Sequence, residues 1–178
     1  MNIKDFKIKK IKKYLRAGEK IKFSSVPKKP NEEEKLIIKI VEVMNTSDIE
    51  ERYSLIYDYL CEYMDEDMML HQYCDFKDGK CIANRLGLSV HEADGCCYSW
   101  KWGQCQFLNK NEGICTNKNP GCKLFMCSYV EKKYKFKYNL EDIFPVKYFL
   151  NRKQINIISR SFFKTKEYII TKMMQAIK

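Results

Sequence analysis

DGCCYSWKWGQCQFLNKNEGICTNKNPGCKLFMC, residues 94–127, carries six of the nine cysteines in a chain of 178 residues. It shows neither a helical nor a strand period, and Gly95, Gly103, Asn111, Gly113 and Pro120-Gly121 interrupt it every few residues. The same texture extends upstream through Asp78-Gly79 to Cys81 and Cys74. A compact domain seldom leaves a segment as long as 74–127 irregular unless something holds it together. Only Ser89–Asp94 reads as a single helical turn.

Helical periodicity resumes on both sides. Asn31 followed by Glu32, Glu33 and Glu34 has the form of a helix N-terminus, because the Asn side chain can accept from orphan backbone donors and the acids favour the positive helix end. A helix over 32–44 is expected, with Leu36, Ile37, Ile40, Val41 and Met44 inward. Ser47 and Glu50 repeat the capping spacing ahead of a longer helix over about 48–70, whose inward stripe is Ile49, Tyr53, Ile56, Leu60 and Met64. Cys61 sits beside that stripe and reads as a small buried hydrophobe. Downstream, NLEDIFPVKYFL and KQINIISRSFF read as two short helices. TKEYIITKMMQAIK reads as a third, with Ile169, Ile170, Met173, Met174 and Ile177 on its apolar side. The fold class is therefore mainly α, with helices flanking an irregular, cysteine-rich, metal-binding insert. Residues 1–29 form a basic arm with a linker, and 30–178 a single helical domain containing the insert 74–127.

The net charge of +10 is uneven. Residues 1–29 hold 11 Lys or Arg against 2 acids, 30–73 hold 3 against 12, and 74–178 hold 19 against 9. The arm reads as a basic amphipathic helix over 3–16, with Ile3, Phe6, Ile11, Tyr14 and Leu15 near one side and Gly18 ending it. Three roles fit it: docking on the acidic middle segment, contact with nucleic acid, or attachment to a membrane surface. The first is the expected one.

MNIKDFKIKKIKKYLRAGEK has lysines throughout and lacks the apolar core of a secretory signal, and no run of about 20 apolar residues occurs anywhere. The expected compartment is the cytoplasm, where thiols bind metal more often than they form disulfides. Excluding Cys61 leaves eight candidate ligands: Cys74, Cys81, Cys96, Cys97, Cys105, Cys115, Cys122 and Cys127. From Cys96 onward the gaps are zero, seven, nine, six and four residues. Zinc knuckles bring ligands in close pairs, and only the last gap approaches that. Four thiolates reached from separate loops suit an iron-sulfur cluster such as 4Fe-4S, with zinc the alternative. The count allows one site or two. His91 in SVHEADGCC and, less so, His71 could replace a thiolate, although each also fits as an ordinary polar histidine.

GCC at 95–97, CQFLNKNEGIC at 105–115 and NPGCKLFMC at 119–127 resemble a bacterial cysteine-cluster family described as zinc- or iron-chelating, with a related arrangement in flagellin lysine N-methylases. The resemblance implies metal ligation by Cys96, Cys97, Cys105, Cys115 and Cys122. Pro120 and Lys123 match the positions beside the last cysteine, Lys standing where the family usually has Arg. The close cysteines that the family carries just before the adjacent pair are missing, since Cys81 is 15 positions ahead of Cys96.

Lys101, Lys110, Lys118 and Lys123 could offset the charge of clustered thiolates. Tyr98, Trp100, Trp102, Phe107 and Phe125 could shield a centre from water. No phosphate loop, nucleotide fingerprint, zinc-protease motif or cysteine trio for cleavage of S-adenosylmethionine is present. Glu92 and Asp94 are the only acid–base candidates beside the adjacent pair, so enzymatic activity is left open. The expected function is that of a metal-cysteine protein in electron transfer, metal handling or support of a modification system, with a protein or redox partner. The alternatives are a zinc-stabilised nucleic-acid-binding module and an S-adenosylmethionine-dependent methyltransferase-like enzyme.

Overall fold

The arm does not form the single helix expected over 3–16. In the computed structural model, which describes residues 1–18, 20–89, 91–93, 105–144 and 146–177, it folds as two 3-10 turns, Ile3–Asp5 and Ile8–Lys10, and a short helix α1, Ile11–Ala17. Gly18 closes α1 at φ +67°. The cause is burial. Ile3, Phe6 and Ile11 all enter the core, but in a continuous helix Ile11 would point about 140° away from Phe6. Breaking the helix lets all three face inward. Phe6 stacks on Tyr14 and meets the edge of Phe23. The Asn45 side chain ties the segment down by accepting from the Ile21 N–H at 2.9 Å and donating to the Ile21 carbonyl at 2.8 Å.

The arm thus docks on the acidic middle through apolar contacts. No ion pair joins it to that segment among the described residues.

Helix α2, Glu32–Asn45, begins with the expected capping box of Asn31 and Glu34 and buries Ile37, Ile40, Val41 and Val43. Helix α3, Ile49–His71, is the central element. Its N-cap is Asp48, which accepts from the Glu51 N–H at 2.7 Å, one residue later than the Ser47–Glu50 spacing suggests. Tyr53, Ile56, Leu60 and Met64 are buried as expected, together with Tyr57 and Cys61, whereas Ile49 is exposed.

The elements of the insert come next, and among them the second hairpin strand and the short helix at 120–123 pack against α3. Helix α4, Ile82–Arg85, follows a loop closed by the Asp78-Gly79 turn, and a two-stranded hairpin, β1 Leu108–Asn109 and β2 Ile114–Cys115, pairs Leu108 with Cys115. Gly113, at φ +67°, lets Phe76 pack where a Cβ would come within 2.5 Å of its ring. Helix α5, Pro120–Lys123, leads into α6, Ser128–Tyr134, a helix that the sequence pattern does not announce.

The C-terminal stretch 139–163 contains α7, Leu140–Ile143, α8, Val146–Phe149, and α9, Arg152–Arg160. Helix α10, Lys166–Gln175, buries Ile169, Ile170 and Met173 against α3 and α9, while Ile177 is exposed. The buried Gln154 amide donates to Tyr53 Oη at 2.7 Å and to the Met173 carbonyl at 3.1 Å, joining α3, α9 and α10 without an orphaned polar group. Among the described residues no helix is long and apolar enough to cross a membrane.

Because Ile11 has no exposed surface, replacing it with Ala is expected to lower unfolding free energy by roughly 2–4 kcal/mol. Urea denaturation checks this, and a change below about 0.5 kcal/mol would mean that the arm is peripheral to the fold.

Candidate metal centre

The segment NKNPGCKL, residues 117–124, is held at three points. Asn119 is fully buried, and its Oδ1 accepts from the Cys122 N–H at 3.0 Å, capping α5. Its amide nitrogen donates to the Ser161 and Lys164 carbonyls at 2.7 and 2.8 Å, in the connection between α9 and α10. Tyr57 of α3 donates to the Lys118 carbonyl at 2.7 Å. Gly121 permits the closest approach, because a Cβ there would lie 2.6 Å from the Ile158 carbonyl of α9. Cys122 is therefore fixed between α3 and the C-terminal helices.

Two N–H groups point at its sulfur. Asn117 Nδ2 donates to Cys122 Sγ at 3.2 Å, and the Phe163 backbone N–H donates to the same atom at 3.3 Å. Phe163 holds φ at +58°, a region that an aromatic residue rarely adopts. The Asn117 backbone N–H faces Cys115 and draws its thiol down against the effect of burial. Burial pushes both thiols up from their ordinary range, these donors pull them down, and Cys105, Cys115 and Cys122 lie within electrostatic reach of one another.

A buried ammonium lies beside them. The Lys123 side chain is only 3% exposed and pairs with Asp65 of α3, whose side chain is 28% exposed. Lys123 also donates to the Cys115 carbonyl at 3.3 Å, and Lys118 donates to the other Asp65 oxygen at 2.8 Å. Two cations thus share one carboxylate next to the thiols, so a positive field is available to sulfur when it ionises.

The remaining candidates divide. Cys96 and Cys97 lie outside the described residues, as do Asp94, Tyr98, Trp100, Lys101 and Trp102. Cys74, Cys81 and Cys127 share with Cys115 and Cys122 the wall of a cavity of about 390 Å³ that Met64, Met68, Phe76 and Val130 make largely apolar. Cys74 and Cys81 are brought together by the Ile82 N–H, which donates to the Cys74 carbonyl at 2.8 Å. No disulfide joins two of the described cysteines. Among the described residues, no three His, Cys, Asp or Glu side chains gather closely enough to form a metal cage.

The histidines have other engagements. His71 contacts Asp67 at 3.1 Å and stacks on Tyr73, while His91 is exposed in the turn 91–93. Glu92 caps that turn by accepting from the Ser89 N–H at 2.9 Å and from its hydroxyl at 2.7 Å. The Ser89 hydrogen bonds hold its carboxyl below the usual range, which suits a cap and not a general acid. Lys110 is exposed at the hairpin. Phe107 stacks on Phe163, and Phe125 meets the edge of Phe162.

Sequence reasoning missed Asp65, Asn117, Asn119 and Phe163. The Asn119-Pro120 pair ahead of α5 was a usable local signal for a cap followed by Pro at N1. Asp65 and Phe163 act across 58 and 41 residues, whereas Asn117 acts across five but has no local pattern that marks it.

In comparisons with known proteins, no family model, no curated protein and no solved structure matches this chain.

The ion cluster predicts an asymmetry. Asp65→Asn strands a buried ammonium and is expected to cost about 3 kcal/mol in urea denaturation, whereas Lys123→Met leaves Asp65 partly solvated and paired with Lys118 and should cost about 1 kcal/mol or less. Equal losses would mean that the pair is not shielded from solvent.

Cys61 supplies a pH test. Burial pushes its thiol up to about 12 from 9.0, so between these values the folded chain binds more protons than the unfolded one. Its contribution to stability is complete below about pH 9 and is lost as pH rises toward 12. Cys61→Ala should flatten the fall in urea midpoint between about pH 9 and 10.5 relative to the parent protein.

Proposed function

We propose that this chain is a metal-cysteine protein in which Cys105, Cys115 and Cys122, which form no closed cage as they stand, draw together on an iron-sulfur centre, 4Fe-4S in form. The family resemblance nominates the adjacent pair Cys96–Cys97, outside the described residues, for the remaining thiolate coordination. The observation that carries this reading is the pair of N–H donors aimed at the Cys122 sulfur, with the Lys123 ammonium held at the Cys115 carbonyl beside it. Apolar packing alone does not require donors aimed at sulfur, whereas thiolates bound to a metal do. The partial match of residues 95–127 to the cysteine-cluster pattern points to the same sulfurs.

Bound there, a cluster would supply one-electron chemistry. The chain's own groups have separable roles. Asn117 and the Phe163 N–H stabilise negative charge on sulfur, which favours the reduced state. Lys123 offsets that charge while Asp65 and the Cys115 carbonyl hold its ammonium in place, and Phe107 stacks on Phe163, whose N–H faces the sulfur. Such a centre suits electron transfer, metal handling or support of a modification system in a reducing compartment. Zinc is the alternative occupant for the same thiolates and would give the site a structural role.

Anaerobic purification with metal and sulfide analysis separates these cases. Iron and acid-labile sulfide in equal amounts, with a broad visible absorption, are expected. Cys105→Ser, Cys115→Ser and Cys122→Ser should each reduce bound iron at least about tenfold, and Asn117→Ala should weaken retention without abolishing it. Stoichiometric zinc in a colourless protein would select the zinc reading. Absence of both metals would overturn the proposal.

A further inference from the structure

We propose that the N-terminal arm is a binding surface for the phosphate backbone of a nucleic-acid duplex. All eleven cations of residues 1–29, from Lys4 to Lys29, are exposed. Among the described residues none of the eleven forms an ion pair with a carboxylate, and Asp5 is the only carboxylate within the described part of the arm. Outside the arm the described cations are mixed, with lysines such as Lys132, Lys133, Lys135 and Lys153 exposed and others paired. Lys35, Lys39, Lys118, Lys123 and Lys166 each sit against an acid. The arm's charge is therefore surplus, and it is mounted on a fixed base because Ile3, Phe6 and Ile11 are buried and Asn45 grips Ile21 in both directions.

That base also chooses among polyanions. Attachment to a lipid surface needs a continuous apolar face free to enter the headgroup region. In this arm only Met1 and Val26 stay exposed, at opposite ends, and the other large apolar side chains lie in or against the core. A protein partner needs an apolar or aromatic anchor at the centre of its interface, and the aromatic rings of the arm, Phe6, Tyr14 and Phe23, are packed against one another and the core. The same packing removes any platform on which single-stranded bases could stack. Ammonium and guanidinium groups remain, and regularly spaced phosphates are their match. Contacts to phosphates carry no sequence information, so the inferred binding is independent of sequence.

Truncation of residues 1–29 would remove core side chains, so the test uses surface substitutions in the full chain. Fluorescence anisotropy would compare duplex DNA, duplex RNA and single-stranded DNA of one sequence, alongside phosphatidylserine vesicles, over about 50–200 mM KCl. The parent protein is expected to bind a duplex with a slope of log K against log salt of about −4 or steeper. A variant carrying Lys9→Gln, Lys12→Gln, Lys13→Gln and Arg16→Gln should bind at least about tenfold more weakly, with the slope flattened by about 3 to 4. A control carrying Lys132→Gln, Lys133→Gln, Lys135→Gln and Lys153→Gln changes net charge equally at exposed positions outside the arm and should lose less than about twofold.

Unchanged urea midpoints and metal content in both variants separate this result from a folding defect and from failure of the metal reading. The two duplex arms tell DNA from RNA, and binding to either supports the proposal. Equal loss in the control, preference for the single strand, preference for vesicles, or no duplex binding would each overturn it.

Discussion

The amide of Asn119 is the constraint on which the thiol site depends. It is fully buried and both of its polar atoms are engaged, the oxygen starting α5 at Cys122 and the nitrogen closing the turn between α9 and α10. A buried amide with both ends satisfied fixes distances that apolar contacts leave adjustable. Here it fixes the sulfur of Cys122 relative to the Phe163 N–H, which belongs to the turn that Asn119 closes. Gly121 makes this possible, since any side chain there would drive α5 away from the Ile158 carbonyl. One short sequence, NPGCK, thus joins the insert to helices that follow it by some 40 residues.

Around that joint, the central helix α3 has two kinds of face. Ile56, Leu60 and Met64 bury against neighbours, and the stripe beside them carries Tyr57, Cys61 and Asp65, which address residues 118–123. The spacing of four residues places these three along one line of the helix. A tyrosine hydroxyl anchors backbone, a carboxylate anchors a buried ammonium, and a thiol fills the space between them. Cys61 contributes packing in this arrangement, with its thiol kept neutral by burial.

What the sequence made legible was local. Asn31 and Glu34 declare a capping box within four residues, the i, i+3, i+4 pattern declares the faces of α2 and α3, and Asp78-Gly79 declares a turn. The misses have physical causes of equal clarity. Asp48 outcompeted Ser47 as a cap because its carboxylate reaches the Glu51 N–H. The arm broke into short turns because tertiary burial of Ile11 overrode helical continuity. Helix α6 escaped notice because Val130 is its one fully buried residue, too sparse a stripe to register. In the site, Cys105, Cys115 and Cys122 could be nominated from composition and motif, but no local rule pairs Asp65 with Lys123 or aims the Phe163 N–H at Cys122. Those contacts exist only once the helices have packed.

Lysine plays opposite parts in the two regions, and burial decides which. At the thiol site an ammonium out of water must be paired, so Lys123 is tied to Asp65, and its field acts at short range in a medium that screens it poorly. Such a cation can tune a neighbouring sulfur but cannot recruit a distant partner. In the arm, water and salt screen each ammonium within about 8–10 Å, so a single one is worth little. The arm gains strength only from number and from being held still, which its buried apolar residues ensure. A tuning charge and a recruiting surface therefore need contrary environments. This fold keeps the tuning charge inside, on α5 against α3, and the recruiting charges outside, on a segment anchored by the apolar residues it turns toward the core.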